Sequence, residues 1–284
     1  MNRRTLLRAL GAGLATTLLG RPAGADAAPL RIGLTPVFLD DQTAFLNEWR
    51  DYLAARLGRP VVFVQRSSYR EIVDEVMAHR LDLAWVCGYP FVREQARMRL
   101  LAVPLYLGRP LYRSYLIVSG DDGVSASLDD LEGRIFAFSD PNSNSGHLYT
   151  LYQLQQRGEN PERFFRRTFF TWSHRRVVEA VAVGMADGGA VDGYVWDTLS
   201  RIHPEITGQT RVVARSETFG FPPLVASVSL SQADFDAAQS VLMEMPRDEV
   251  GARLLHKLNL DGFVEGDVAL FDDIAEMARA TGRL

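Results

Sequence analysis

From residue 30 onward, short apolar runs alternate with longer stretches whose apolar positions recur every three or four residues. Residues 30–35 read as a strand ended by Pro36. Phe45, Leu46, Trp49, Leu53 and Leu57 share one face of a helix that Asp40-Asp41 opens and Gly58 stops. Residues 61–65 form a second strand. Ser67, Ser68 and Tyr69 start a helix to about residue 79, with Ile72, Val73, Val76 and Met77 inward. A third strand at 81–86 runs into Cys87-Gly88-Tyr89-Pro90, and a helix from Phe91 and a strand at 100–105 follow. This alternation predicts an α/β fold with a parallel sheet and helices on both faces.

Residues 112–119 make a long β-type run, read as a strand crossing into a second lobe. There the theme repeats. A short helix at 128–131 precedes a strand at 135–139, a Ser/Asn-rich segment and a helix from Leu148 to about residue 156. A strand at 166–172 leads to a helix from Ser173-His174, and residues 190–195 read as another strand. Residues 211–216 cross back, Pro222-Pro223 mark the return, and 224–230 is a strand of the first lobe. Helices from Ser231, from Asp248 and from near Asp272 complete it. The expectation is two doubly wound lobes joined by two crossing strands: 29–116 with 217–284, and 117–216.

The first residues stand apart. Arg3, Arg4 and Arg8 precede an apolar stretch at 9–20, and Ala23, Ala25 and Ala27 offer small-x-small cleavage sites. Residues 1–25 therefore read as a secretory signal of twin-arginine type, placing the mature chain in the periplasm; an uncleaved anchor is the alternative. The 284 residues carry a net charge of −4, with 31 basic and 35 acidic side chains. Cleavage removes Arg3, Arg4, Arg8 and Arg21, so 27 basic residues face 35 acidic ones and the charge becomes −8. An acidic surface argues against nucleic acid or anionic membrane as partner. The single cysteine, Cys87, can form no internal disulfide.

The segment between the strand at 135–139 and the next helix is the richest in chemistry. Asp140-Pro141 makes a turn, and Asn142, Ser143, Asn144, Ser145 and Gly146 follow. A helix start lined with N–H groups and short donors is a ready anion site. Ser and Asn are equally the commonest N-caps, so simple capping is the competing reading. Thr35, Ser67 to Tyr69, Cys87 to Tyr89, Ser143 to Ser145, Ser173-His174 and Tyr194 to Trp196 all fall at or just beyond strand ends, where open α/β sheets bind ligands.

These residues resemble the phosphonate-binding periplasmic proteins of ABC transporters. Leu81-Asp-Leu-Ala-Trp-Val-Cys-Gly-Tyr-Pro90 is similar to their strand and Gly-x-x-Tyr segment. Asp140-Pro-Asn-Ser-Asn-Ser-Gly146 is similar to their Asp-Pro-x-Ser-x-Ser-Gly anion loop, and Ser173-His174 followed by Val191-Asp192 matches the next element. The resemblance covers essentially the whole mature chain. It implies a type II periplasmic-binding-protein fold that closes on phosphonate, phosphite, phosphate or a related oxyanion, working as a monomer with an ABC permease. It implies that Ser143, Asn144, Ser145 and the Gly146 N–H donate to the ligand, with Tyr69, Tyr89 and His174 adding hydrogen bonds and His174, as imidazolium, adding charge.

Two features depart from the family. Members that bind aminophosphonates carry acidic groups in the regions matching 194–196 and 219–223, and none stands there. The Pro-rich stretch after the anion loop is replaced by His147, Leu148 and Tyr149. Cys87 is either a small buried residue or a ligand contact. The second use fits relatives that sense arsenic oxyanions for a membrane histidine kinase. Catalysis is not expected: Ser143 to Ser145, His174 and Asp192 could compose a hydrolase triad, but there is no Gly-x-Ser-x-Gly elbow, and no metal-spaced cluster or cofactor motif is present.

Overall fold

The computed structural model describes residues 28–36 and 42–284. The signal at 1–25 and the helix start at Asp40-Asp41 lie outside the described residues. The first lobe opens with β1 (Leu30–Leu34), α1 (Thr43–Leu57), β2 (Val61–Gln65), α2 (Tyr69–Met77), β3 (Leu83–Trp85), α3 (Gly88–Arg93) and β4 (Met98–Leu105). The chain then enters β5 (Leu111–Ser119), β6 (Ile135–Phe138), a π-helical turn (Asn144–Leu148), α4 (Tyr149–Gln156) and α5 (Pro161–Phe164). β7 (Arg167–Phe170), α6 (His174–Ala182), β8 (Gly188–Asp192), α7 (Gly193–Ile202), α8 (Pro204–Thr207) and β9 (Thr210–Gly220) follow. It returns through β10 (Leu224–Ser227), α9 (Gln232–Glu244), α10 (Glu249–Leu258), β11 (Gly262–Val264) and α11 (Asp272–Ala280).

Local chemistry sets most of these boundaries. α1 buries Phe45, Leu46, Trp49, Tyr52 and Leu53, and ends where Gly58 takes a left-handed φ of 63°. α2 starts in a capping box, Ser68 Oγ accepting from Glu71 N–H while Glu71 accepts from Ser68 N–H. Ser231 and Asp248 cap α9 and α10 as their positions suggest.

The sheets are mixed, not parallel. The first runs β11-β4-β10-β3-β1-β2, with β1 parallel to β2 and β3, while β10 is antiparallel to both β3 and β4. The reason is topological: β10 arrives from the second lobe and enters the sheet from its other end. The second sheet runs β7-β6-β8-β5-β9, with β6 parallel to β7 and β8 and β5 antiparallel to β8 and β9. β5 and β9, the crossing strands, pair along nearly their full length. An aromatic seam binds the lobes at this crossing: Tyr194 and Phe221 rings stand 4.9 Å apart, Tyr106 and Tyr194 5.3 Å, Tyr112 and Phe221 5.9 Å.

Several expected boundaries move: the strand at 224–230 ends at Ser227, the strand at 211–216 extends to Gly220, and three changes lie near the cavity. The strand expected at 190–195 ends at Asp192, because the Asp192 carboxylate accepts from the N–H of Tyr194 and Val195 and so starts α7. α3 begins at Gly88 rather than Phe91, with Pro90 tolerated in its first turn. The Ser/Asn segment is itself helical, wound as a single widened turn, a form found often at functional sites.

Candidate functional site

A cavity lies between the lobes at the carboxyl ends of the strands. Leu34, Thr35, Trp85 and Cys87 reach it from β1 and β3, and Tyr69 from the start of α2. Phe221 and Pro222 wall it from the return linker. His174, Asp192 and Tyr194 close it from the second lobe. Its volume of about 30 Å³ is room for about two waters. The lobes are thus shut on each other.

The π-helical turn stands one bond behind this wall. Ser143 caps it, its Oγ accepting from Gly146 N–H at 3.0 Å and lying 3.3 Å from His174 Nε2. Asn144 N–H donates to Cys87 Sγ across the lobes at 3.3 Å, and Asn144 Nδ2 donates to the Tyr112 hydroxyl at 3.0 Å. Ser114 Oγ donates to the Ser145 carbonyl at 2.7 Å. Gly146 is required by packing, since a Cβ there would stand 1.9 Å from Ser139 Oγ and 2.8 Å from His174 Cε1. Three buried polar atoms of this region, Ser139 Oγ, Asn144 Oδ1 and Ser145 Oγ, have no hydrogen-bond partner. Buried polar atoms are nearly always paired, so three unpaired ones together mark a place built for something else.

The titratable groups around the cavity are held neutral. Backbone N–H of Asp192 donates to His174 Nδ1 at 3.0 Å, which fixes the ring proton on Nε2. Burial pushes the His174 pKa down to about 3, so the expected imidazolium does not form at neutral pH. Burial raises Asp192 to about 8 and the Cys87 thiol to about 11. The cavity therefore offers neutral donors and a carboxyl group, not charge.

The same bonds argue against a hydrolase. In a triad the acid accepts the Nδ1 proton and Nε2 takes the serine proton. Here Nδ1 is the acceptor, Nε2 already carries hydrogen, and the Asp192 carboxyl group is turned to α7.

The structure therefore gathers Tyr69, Cys87 and His174 on the cavity, with Ser143, Asn144, Ser145 and Gly146 directly behind. Tyr89 is not with them: its hydroxyl donates to the Arg283 carbonyl at 3.0 Å, because α3 begins early and turns the ring toward the chain end. Trp85 is a wall, its indole N–H donating to the Pro222 carbonyl, and Trp196 lies off the cavity, bonded to Thr210. His147 Nδ1 faces the Pro141 carbonyl at 3.0 Å, on the far side of the turn. Sequence reading missed Tyr112 and Ser114, which grip the turn from β5. Their only signal was polar atoms inside an otherwise apolar β run. Sequence reading named Asp192 only as a possible triad acid and as a family match, and left its cavity carboxyl out of the ligand contacts, although it lies just before the 194–196 region where acids were sought.

A profile of the family described as "ABC transporter, phosphonate, periplasmic substrate-binding protein" matches residues 32–271. The phosphate-import protein PhnD of Mycolicibacterium smegmatis is 26% identical over 233 residues, covering 78% of this chain and 70% of that protein. The probable ABC transporter phosphite-binding protein PhnD1 of Prochlorococcus marinus is 22% identical, covering 94% of this chain and 95% of its own. The structure of PhnD1 from Prochlorococcus marinus in complex with methylphosphonate superposes with a TM-score of 0.82 at 20% identity, over 90% of this chain and 99% of that one. A binding-protein component of an ABC phosphonate transporter from Pseudomonas aeruginosa gives 0.83 at 21%, over 91% and 88%.

Proposed function

The chain belongs to the phosphonate family of ABC-transporter periplasmic substrate-binding proteins, and from that premise we propose that it captures a small phosphonate, phosphite or phosphate-type oxyanion between its lobes and delivers it to an ABC permease. The observation that carries this reading is the set of unpaired polar atoms at Ser139, Asn144 and Ser145 beside the cavity. Parting the lobes withdraws Cys87 Sγ from Asn144 N–H and exposes the turn to solvent. A 180° rotation of the Asn144 carboxamide lets Tyr112 donate to Oδ1 and frees Nδ2 for the ligand. Ser145 Oγ and His174 Nε2–H supply further donors. Asp192 donates to the oxyanion while protonated and accepts from a P–OH once ionised, so the site favours ligands that can carry a proton.

Tyr69, Cys87, Ser143, Asn144, Ser145, Gly146 and His174 are the residues we assign to ligand binding, together with Tyr112 and Asp192. Tyr89 serves the fold. We assign residues 29–116 with 217–284 to one lobe and 117–216 to the other, residues 1–25 to an export signal of twin-arginine type, and the working form to a monomer without catalysis. Nothing in the cavity favours the alternative of an arsenite sensor, since the thiol of Cys87 is buried and neutral.

Titration calorimetry of the protein lacking residues 1–25 tests this. Methylphosphonate, phosphite or phosphate is expected to bind with sulfate and arginine silent. Binding of sulfate or of arginine alone would overturn it.

A further inference from the structure

Two hydrogen bonds join the lobes on either side of Pro141, and their acceptors, Asp140 and Asn142, lie outside the cavity lining. Asp140 is fully buried in the second lobe. Its Oδ1 accepts from Asn142 N–H at 2.7 Å, within its own turn, and its Oδ2 accepts from Tyr69 N–H at 3.0 Å, in the first lobe. Tyr69 is the first residue of α2, whose capping box satisfies Ser68 and Glu71 but leaves the Tyr69 N–H without an acceptor of its own. Asp140 supplies that acceptor from the opposite lobe and places its carboxylate at the positive end of the α2 dipole. Two residues on, Asn142 Oδ1 accepts from Arg93 Nη1 at 2.8 Å, at the end of α3.

We propose that Asp140 is a positioning residue that latches the anion turn to the first lobe without needing a ligand, with Arg93 and Asn142 as its outer brace. Each bond requires the lobes to be closed and neither requires an occupant. The latch therefore raises the population of the closed state that binding needs. When the competent state holds only a fraction of molecules, the apparent dissociation constant rises by the inverse of that fraction for every ligand alike. The latch thus sets affinity while leaving discrimination to the cavity.

The affinity arm of the test rests on the function proposed above; the scattering arm does not. Asp140→Asn keeps one acceptor, turns an NH₂ group toward the other N–H, and removes the charge at the α2 terminus. We expect all oxyanions that bind the parent to bind this variant about tenfold or more weakly, by one common factor, with the change in the dissociation rate. Small-angle scattering of the ligand-free variant is expected to show a larger radius of gyration than the ligand-free parent. Arg93→Ala, at a partly exposed side chain that cannot unfold the turn, is expected to shift both readouts in the same direction by a smaller factor. If Asp140→Asn does not fold, Arg93→Ala carries the test alone. Loss of affinity for one ligand and not another would place Asp140 in the cavity and overturn the latch. So would ligand-free scattering identical in parent and variants. If no oxyanion binds the parent, the scattering comparison still decides the latch, and the proposed function fails separately.

Discussion

Ser145→Ala should move stability and affinity in opposite directions. The Ser145 side chain is fully buried, and its Oγ faces the Tyr112 hydroxyl without a hydrogen bond of normal geometry. A buried hydroxyl without a partner carries a desolvation penalty of about 1–3 kcal/mol. Removing it from the ligand-free protein should therefore stabilise the fold, by about 1 kcal/mol once the small void left behind is set against the gain. For a chain of this size that is a rise in Tm of about 2 °C. In the complex the same hydroxyl donates to an anion, a bond worth about 1.5–3 kcal/mol, so affinity should fall about 10- to 150-fold. Ser143→Ala is the contrasting control. Its Oγ accepts from Gly146 N–H and caps the turn, so its loss should destabilise the ligand-free protein by about 0.5–2 kcal/mol. Differential scanning calorimetry of the ligand-free variants and titration calorimetry with methylphosphonate and phosphite give both numbers. A Ser145→Ala protein that melts as low as Ser143→Ala would show that the hydroxyl was paired. Unchanged affinity would show that it does not face the ligand.

Three further outcomes are expected. Gly146→Ala forces its methyl against Ser139 and His174; overpacking of this kind costs about 1–3 kcal/mol, read as a lower urea midpoint, and the displaced turn should bind ligand poorly in calorimetry. Asp192 is held near pKa 8 by burial, above its unfolded value near 3.9, so its contribution to stability is complete below about pH 4 and is lost as pH rises toward 8. Asp192→Asn, which keeps an oxygen for the α7 cap, should remove that loss, and urea midpoints of parent and variant should diverge between pH 4 and 8; parallel curves would place the carboxyl in water. Cys87, buried with its thiol near pKa 11, should react with a thiol-specific disulfide reagent only as the lobes part. Saturating oxyanion should slow that reaction, and a rate indifferent to ligand would detach Cys87 from the cavity.

Much of this protein could be read from local pattern alone. Alternating runs located β1, α1, β2, α2 and β6, because each buries an apolar face whose spacing is local. Gly58, Ser231 and Asp248 gave their helix ends away by capping chemistry, and Asp140-Pro-Asn-Ser-Asn-Ser-Gly146 pointed to an anion turn. Elements whose signal is not local went unread. β11 is three residues long and exists because β4 offers it an edge. The first turn of α7 reads as strand from the sequence, since Gly193, Tyr194 and Val195 suit either form until the Asp192 side chain turns back to cap them.

The charge states around the cavity belong wholly to the folded molecule. His174 and Asp192 are ordinary titrating groups in a solvated chain; bringing the lobes together strips their water, and the neutral forms win. The direction of Tyr89 toward Arg283, the grip of Tyr112 and Ser114 on the turn, and the reach of Asp140 to Tyr69 N–H are likewise contacts between residues far apart along the chain. Composition and spacing carry no trace of such pairs, because each is made by elements that only the tertiary fold brings together rather than by neighbours in the chain.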